Sequence, residues 1–373
     1  QIKVQKKHIL CNFATMFART SIILSTLLLF TLGLFAQKSP IGIELNYARG
    51  VLLPHRTIMK HLPQGPAQAM ELRIYTQTNG SKAWHNVYNR PQVGVSIKGF
   101  DLANKDLLGY GLGIAAYFSS PVISTTQFKW NLEIAAGPGI ISKPFDDDDN
   151  YKNIAIGSYG NAYVFLGQRF SYQANDQLHV SLAMAFNHFS NSAYSLPNLG
   201  LNYPTVSFGI GYQLQKSTAL DSLPSKASRQ TGKWITAFGL GLKEVSDPKN
   251  VKHPTFSLMG ERSFGLSRKS SAIAGIDFMY NSGLYANRNA DSNTVSTIGN
   301  AQLGLKIGYN LHIDEAQIFL QAGWYAIDSY KLDGRFYHRA GIRYFFTDHF
   351  GAHLALRTHL FKADYFEAGM AYR

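Results

Sequence analysis

His188 and Ser190, two positions apart in the string His188-Phe189-Ser190-Asn191, are a pair whose types and spacing could do chemistry. A serine hydroxyl is a poor nucleophile until a base takes its proton, and imidazole is the usual base. On a β-strand, residues two apart share a face with about 7 Å between Cα atoms, which lets a ring nitrogen reach the hydroxyl. Such a base needs a partner on its other nitrogen, and the oxyanion that develops needs donors. Taken alone the string is common. It fits equally a polar pair that ends an apolar row where a strand meets the membrane–water interface.

The stretch that must position the pair runs from Leu178 to Leu214 and reads at a period of two. Leu178, Val180, Leu182, Met184 and Phe186 fall on one face, and the same parity continues into His188 and Ser190. His179, Ser181, Ala183, Ala185 and Asn187 fall on the other. After a loop the alternation resumes, with Val206, Phe208, Ile210, Tyr212 and Leu214 opposite Thr205, Ser207, Gly209, Gly211 and Gln213. An apolar face set against a small, polar one predicts strands of a transmembrane antiparallel β-barrel, with the His and Ser on the lipid-facing row.

The same habit recurs along the chain. Eight segments are expected near 41–49, 67–77, 92–100, 108–118, 127–137, 161–173, 177–190 and 203–215. Eight more follow near 233–245, 254–264, 271–281, 297–310, 315–327, 335–346, 350–360 and 364–373. Gly109–Phe118 is typical: Tyr110, Leu112 and Ile114 alternate with small residues that would let a narrow barrel close. The 33 Gly, 21 Tyr and 24 Phe suit membrane barrels, whose aromatic girdles mark both interfaces, although a soluble β-sandwich shows similar alternation. Between the two runs, residues 216–232 lose the alternation and read as a linker. A tether of this length makes a comfortable turn inside one sheet, so a single barrel of about 16 strands is favoured over two of eight.

Residues 1–15 begin with Gln and carry no pattern, whereas Met16 opens a basic residue, a short apolar core and small residues near Ala36. This predicts a secretory signal peptide over 1–36, cleaved after Ala36. No later stretch approaches the roughly 20 apolar residues of a membrane-spanning helix. The formal charge of +13 owes four units to Lys3, Lys6, Lys7 and Arg19, which leave with that segment. A basic surface suits anionic lipid or a phosphate-bearing glycolipid; nucleic acid is not expected, because no recognition motif accompanies the charge. The single cysteine, Cys11, precedes the mature chain, which excludes disulfides and a thiolate metal cage. Asp146–Asp149 lack the spacing of a calcium loop and read as a solvated turn. No metal or cofactor is expected.

The longer string, His188-Phe189-Ser190-Asn191 followed by Pro197-Asn198-Leu199-Gly200-Leu201-Asn202, resembles the H-x-S-N…P-N-x-G motif of the lipid A 3-O-deacylase family, PagL. The resemblance covers the first half of the chain, most specifically 178–214, and leaves the second half outside it. It implies an eight-stranded outer-membrane barrel of a Gram-negative bacterium, with the motif at its seventh and eighth strands. It also implies a serine esterase that removes an ester-linked acyl chain from lipid A of lipopolysaccharide. By that likeness Ser190 is the nucleophile and His188 the base, while Asn191 and Asn198 position or stabilise the oxyanion. The family's orienting Glu aligns with Asn202, which carries no charge. Its amide oxygen can accept from the His N–H, but it cannot stabilise an imidazolium electrostatically.

The alternative is a non-catalytic barrel, porin-like or structural, that keeps a relic of the motif. Arg339 and Arg343, on the inward parity of one strand, would suit an anion-lined channel or a packed polar interior. The face on which His188 and Ser190 lie discriminates the two. A second copy of the pattern, near 350–373, puts His359 on the inward parity with no Ser two residues on, so it reads as structural.

Overall fold

The structure is a computed structural model and describes residues 40–215, 232–245, 251–284, 297–360 and 362–373. The signal peptide expected over 1–36 and nearly all of the linker expected over 216–232 lie outside the described residues. The first eight strands are β1 (Ile41–Gly50), β2 (Ala67–Gln77), β3 (Gln92–Asp101), β4 (Tyr110–Ser124), β5 (Phe128–Ile141), β6 (Gly160–Gln173), β7 (Leu178–Ser190) and β8 (Leu201–Gln213). The second eight are β9 (Trp234–Glu244), β10 (Lys252–Gly265), β11 (Ser270–Asn281), β12 (Ala301–Ile313), β13 (Ala316–Asp328), β14 (Phe336–Phe345), β15 (Phe350–His359) and β16 (Lys362–Tyr372).

Each run closes on itself, and this corrects the expectation of one large barrel. β1 pairs with β8 from Gly42 opposite Gln213 to Gly50 opposite Thr205, and β9 pairs with β16 from Gly241 opposite Glu367 to Thr236 opposite Tyr372. Both edges of each run are thereby hydrogen-bonded, so neither sheet has a strand left to recruit from the other half. Small inward residues make the closure possible: a Cβ on Gly113 would fall 2.3 Å from the ring of Tyr163. Eight strands enclose a space that side chains can fill.

Three strand ends differ clearly from the sequence expectation, one of them that of β5, which runs on to Ile141. β4 runs on to Ser124 because Pro121 sits where the ladder to β5 shifts register, a place where its missing N–H is tolerated. β12 begins at Ala301, because Thr297–Asn300 form a 3-10 turn.

The face assignment agrees with the sequence. Leu182, Met184, Phe186, Val206, Phe208 and Ile210 are exposed on the outside, whereas Ser181, Ala183, Asn187, Thr205 and Ser207 are buried inside. An outward apolar band around a polar interior is the arrangement of membrane-spanning barrels. No helix among the described residues is long and apolar enough to cross a membrane.

The interiors are filled with compensated charge. In the first barrel Arg169 reaches Glu44 (2.6 Å) and Glu133 (3.0 Å), and Arg73 also reaches Glu133 (3.0 Å). In the second, Lys306 lies between Glu261 (2.9 Å) and Asp277 (2.8 Å), and Arg339 between Asp277 (2.6 Å) and Glu367 (2.5 Å). Arg343 pairs with Glu261. Arg339 and Arg343 thus belong to a packed polar core, the second of the two arrangements open to them. A charge taken out of water must be paired, and here each of these cations has a carboxylate.

Candidate active site

Strand pairing dictates the site. His188 is directly opposite Asn202 in the β7–β8 ladder, and Ser190 is the last residue of β7. Even parity puts His188 and Asn202 in the outward rows that contain Phe186 and Val206, and both are half-buried. Ser190 shares that parity but is only 6% exposed. His188 therefore continues the outer row, whereas Ser190, at the end of the strand, is buried.

The imidazole of His188 is held on one side by chemistry and on another by shape. Its Nδ1–H donates to Asn202 Oδ1 at 2.6 Å. An amide oxygen can only accept, so this bond leaves Nε2 as the ring's proton acceptor. Gly200 closes the Cε1 edge with φ +81°, in the left-handed region, and a Cβ there would lie 2.8 Å from His188 Cε1. Its N–H donates to Ala155 O (3.0 Å), which fixes the glycine against the β5–β6 connection. Only glycine meets both demands.

Asn191 and Asn198 brace the turn between β7 and β8. The Asn191 N–H donates to Asn198 Oδ1 (3.1 Å), and Asn191 Nδ2 donates to Ser195 O (2.9 Å). The structure therefore brings His188 and Asn202 together as one pair, and Asn191 and Asn198 as another.

One residue escaped the sequence reading. Asn202 Nδ2–H donates to His55 Nδ1 at 3.0 Å, so the amide bridges two imidazoles. His55 belongs to the connection after β1, which keeps alongside β8: Leu53 N–H donates to Asn202 O (2.9 Å). Leu52, Met59 and Leu62 of that connection are buried. The connection is further tied down by His61, whose ring nitrogens bond Ile58 O (2.9 Å) and Lys152 O (2.8 Å). Position 55 lies 147 residues from its partner, in a segment without periodicity, so no spacing signal marks it.

Among the described residues one group has metal-capable side chains close together: Asp333, His359 and Asp364 in the second barrel. Its carboxylates are already matched by cations, Asp364 by Lys243 and Arg357 (3.6 Å) and Asp333 by Lys362 (3.1 Å). His359 points inward, and its Nε2 bonds the hydroxyl of Tyr325 (2.8 Å). The group reads as part of the packed interior. In the acidic loop, the N–H groups of Asp148 and Asp149 donate to Asp146 Oδ1 at 3.0 Å each and hold that carboxyl below its ordinary range.

Comparisons with known proteins bear on both barrels. Residues 68–211 match the family model described as lipid A 3-O-deacylase (PagL), and residues 232–373 match the one described as acyloxyacyl hydrolase, C-terminal domain. The second match covers the half that lay outside the motif resemblance. No curated protein matches the chain. Similar solved structures include a de novo designed transmembrane β-barrel (12% identity, 39% of this chain and 98% of that one, TM-score 0.24). They also include a mutant of the Rh. blastica porin (9% identity, 89% and 98%, TM-score 0.18). A third is the COG4313 outer membrane channel from Pseudomonas putida F1 (10% identity, 90% and 95%, TM-score 0.18). At those scores the fold rests on the strand pairing itself, not on these likenesses. The two family matches do carry weight: the chain belongs to the lipid A 3-O-deacylase (PagL) family through its first barrel and carries the acyloxyacyl hydrolase C-terminal domain as its second.

Proposed function

We propose that the first barrel is an outer-membrane serine esterase that removes an ester-linked acyl chain from lipid A. The observation that carries this reading is the His188–Asn202 pair on the outward row, with Nδ1 engaged and Nε2 left to accept a proton. An enzyme acting on a bilayer lipid needs its nucleophile on the outside of the barrel, where the acyl chains are. Family membership supports lipopolysaccharide as the substrate class.

In this mechanism Ser190 Oγ attacks the carbonyl carbon of the acyl ester while His188 Nε2 takes the hydroxyl proton. The tetrahedral oxyanion collapses, the bond to the sugar oxygen breaks, and His188 returns the proton to that leaving oxygen. Water activated by the same imidazole then hydrolyses the acyl-Ser190 ester and releases a fatty acid. Asn202 holds the ring in the correct tautomer and pose. Asn191 and Asn198 shape the turn that follows the nucleophile, where donors for the oxyanion are needed.

A second reading, a non-catalytic barrel retaining the motif, is favoured by one observation: the partner of His188 Nδ1 is an uncharged amide. Mass spectrometry of lipid A separates the two. Cells expressing the wild type should lose one ester-linked chain, and cells expressing Ser190→Ala should not. Identical lipid A in both would establish the non-catalytic reading.

A further inference from the structure

An asparagine side chain has opposite hydrogen-bonding sense at its two ends, one acceptor and one donor. A carboxylate accepts at both oxygens and needs no second partner to be oriented. An amide does, because turning it over exchanges donor for acceptor in nearly the same space. At position 202 the acceptor end meets His188 Nδ1 (2.6 Å) and the donor end meets His55 Nδ1 (3.0 Å). The geometry therefore links two imidazoles through one switchable group.

The consequences run in one direction. While His55 Nδ1 accepts, Asn202 must present Nδ2–H to it and Oδ1 to His188, and His188 then carries its proton on Nδ1. Place a donor at position 55 and the amide is forced over. Nδ2–H would now face His188 Nδ1, which must become the acceptor, and the His188 proton moves to Nε2. An imidazole in that tautomer has no lone pair at Nε2 to receive a serine proton. His55 is built to hold its place: its loop is pinned by the Leu53–Asn202 backbone bond, and Leu52, Met59 and Leu62 of the same loop are buried.

We infer that His55 is a positioning residue that selects, through the Asn202 amide, which ring nitrogen of His188 carries the proton. The inference rests on the reading of Ser190 and His188 as nucleophile and base for its effect on rate, but not for its effect on the tautomer.

The test uses the full-length protein in detergent micelles, with His55→Glu as a pure acceptor and His55→Lys as a pure donor. His55→Arg serves as the second donor should the lysine variant fail to assemble. The ¹⁵N resonances of the His188 ring report its tautomer whether or not the protein turns over. Wild type and His55→Glu should show the proton on Nδ1, and His55→Lys or His55→Arg should show it on Nε2. Fatty-acid release from lipid A should follow the same order. His55→Glu should stay within about threefold of wild type, and the donor variants should lose at least about 100-fold in kcat with KM little changed. A wrong tautomer of a catalytic histidine can cost as much as about 10⁴. Retention of the Nδ1 proton in both donor variants would overturn the inference. If the tautomer switches as stated but not even the wild type releases fatty acid, the relay stands and the esterase reading falls.

Discussion

Gly200 lies so close to His188 that a single added methyl carbon would sit 2.8 Å from the ring's Cε1. The glycine also holds φ at +81°, which costs a residue with a Cβ about 1–2 kcal/mol. Gly200→Ala should leave barrel assembly intact but displace the imidazole. A misplacement of about 1 Å can cost about 100-fold in rate, so acyl release should fall by one to two orders of magnitude. Unheated gel mobility checks assembly, and lipid A mass spectra check activity. An alanine variant as active as wild type would mean that the ring does not work from this pose.

Position 202 is the place where the chain departs from the family's motif. Asn202→Glu puts a negative charge beside the imidazolium that forms during catalysis, and preorganised charge of this kind favours the transition state. We expect a higher kcat in this variant and a lower one in Asn202→Ala. Because a carboxylate accepts at both oxygens, Asn202→Glu should also make the rate indifferent to His55→Lys. Fatty-acid release by the double variant is the measurement, and a loss as large as in His55→Lys alone would contradict the expectation.

Leu182 and Phe208 are cross-strand partners on the outer face, 46% and 55% exposed. An arginine at mid-bilayer depth on such a face costs about 2–4 kcal/mol, so Leu182→Arg and Phe208→Arg should impair membrane assembly. Ser207→Arg points into the interior instead. That interior is packed, so this variant should also be impaired, through overpacking of about 1–3 kcal/mol. Denaturant midpoints in lipid vesicles separate the cases: adding an aspartate nearby should rescue neither outer variant.

Arg169 joins Glu44 and Glu133 inside the first barrel. Arg169→Met strips both carboxylates of a partner, and breaking a buried pair typically costs about 3–5 kcal/mol. The variant should unfold at markedly lower denaturant than wild type, and Arg169→Lys should recover part of the difference.

Filled interiors also bear on transport. With Arg73, Tyr75, Tyr163, Arg339, Arg343 and Tyr337 almost wholly buried, neither barrel has the open lumen of a porin. Planar bilayers containing the protein should show no steady large-conductance openings.

The strands were legible in the sequence because a period of two leaves its mark whatever a strand pairs with. Leu182, Met184 and Phe186 would alternate with Ser181 and Ala183 in a barrel of 8 strands or of 16. Closure was not legible, since it depends on pairings such as Gly42 with Gln213, which no local pattern encodes. The H-x-S-N string marks His188 and Ser190 as candidates, because residues two apart on a strand share a row. His55 left no trace, since its role arises only when the segment after β1 keeps alongside β8. The segment expected near 108–118 stopped short, because β4 continues to Ser124 through the register shift beside Pro121.

The closure of both sheets has a consequence for descent. A half that shares no ladder with its neighbour can be copied, lost or exchanged as one genetic unit, without putting any strand of the other half out of register. Selection on the first barrel can then proceed one residue at a time, while the second changes at its own pace.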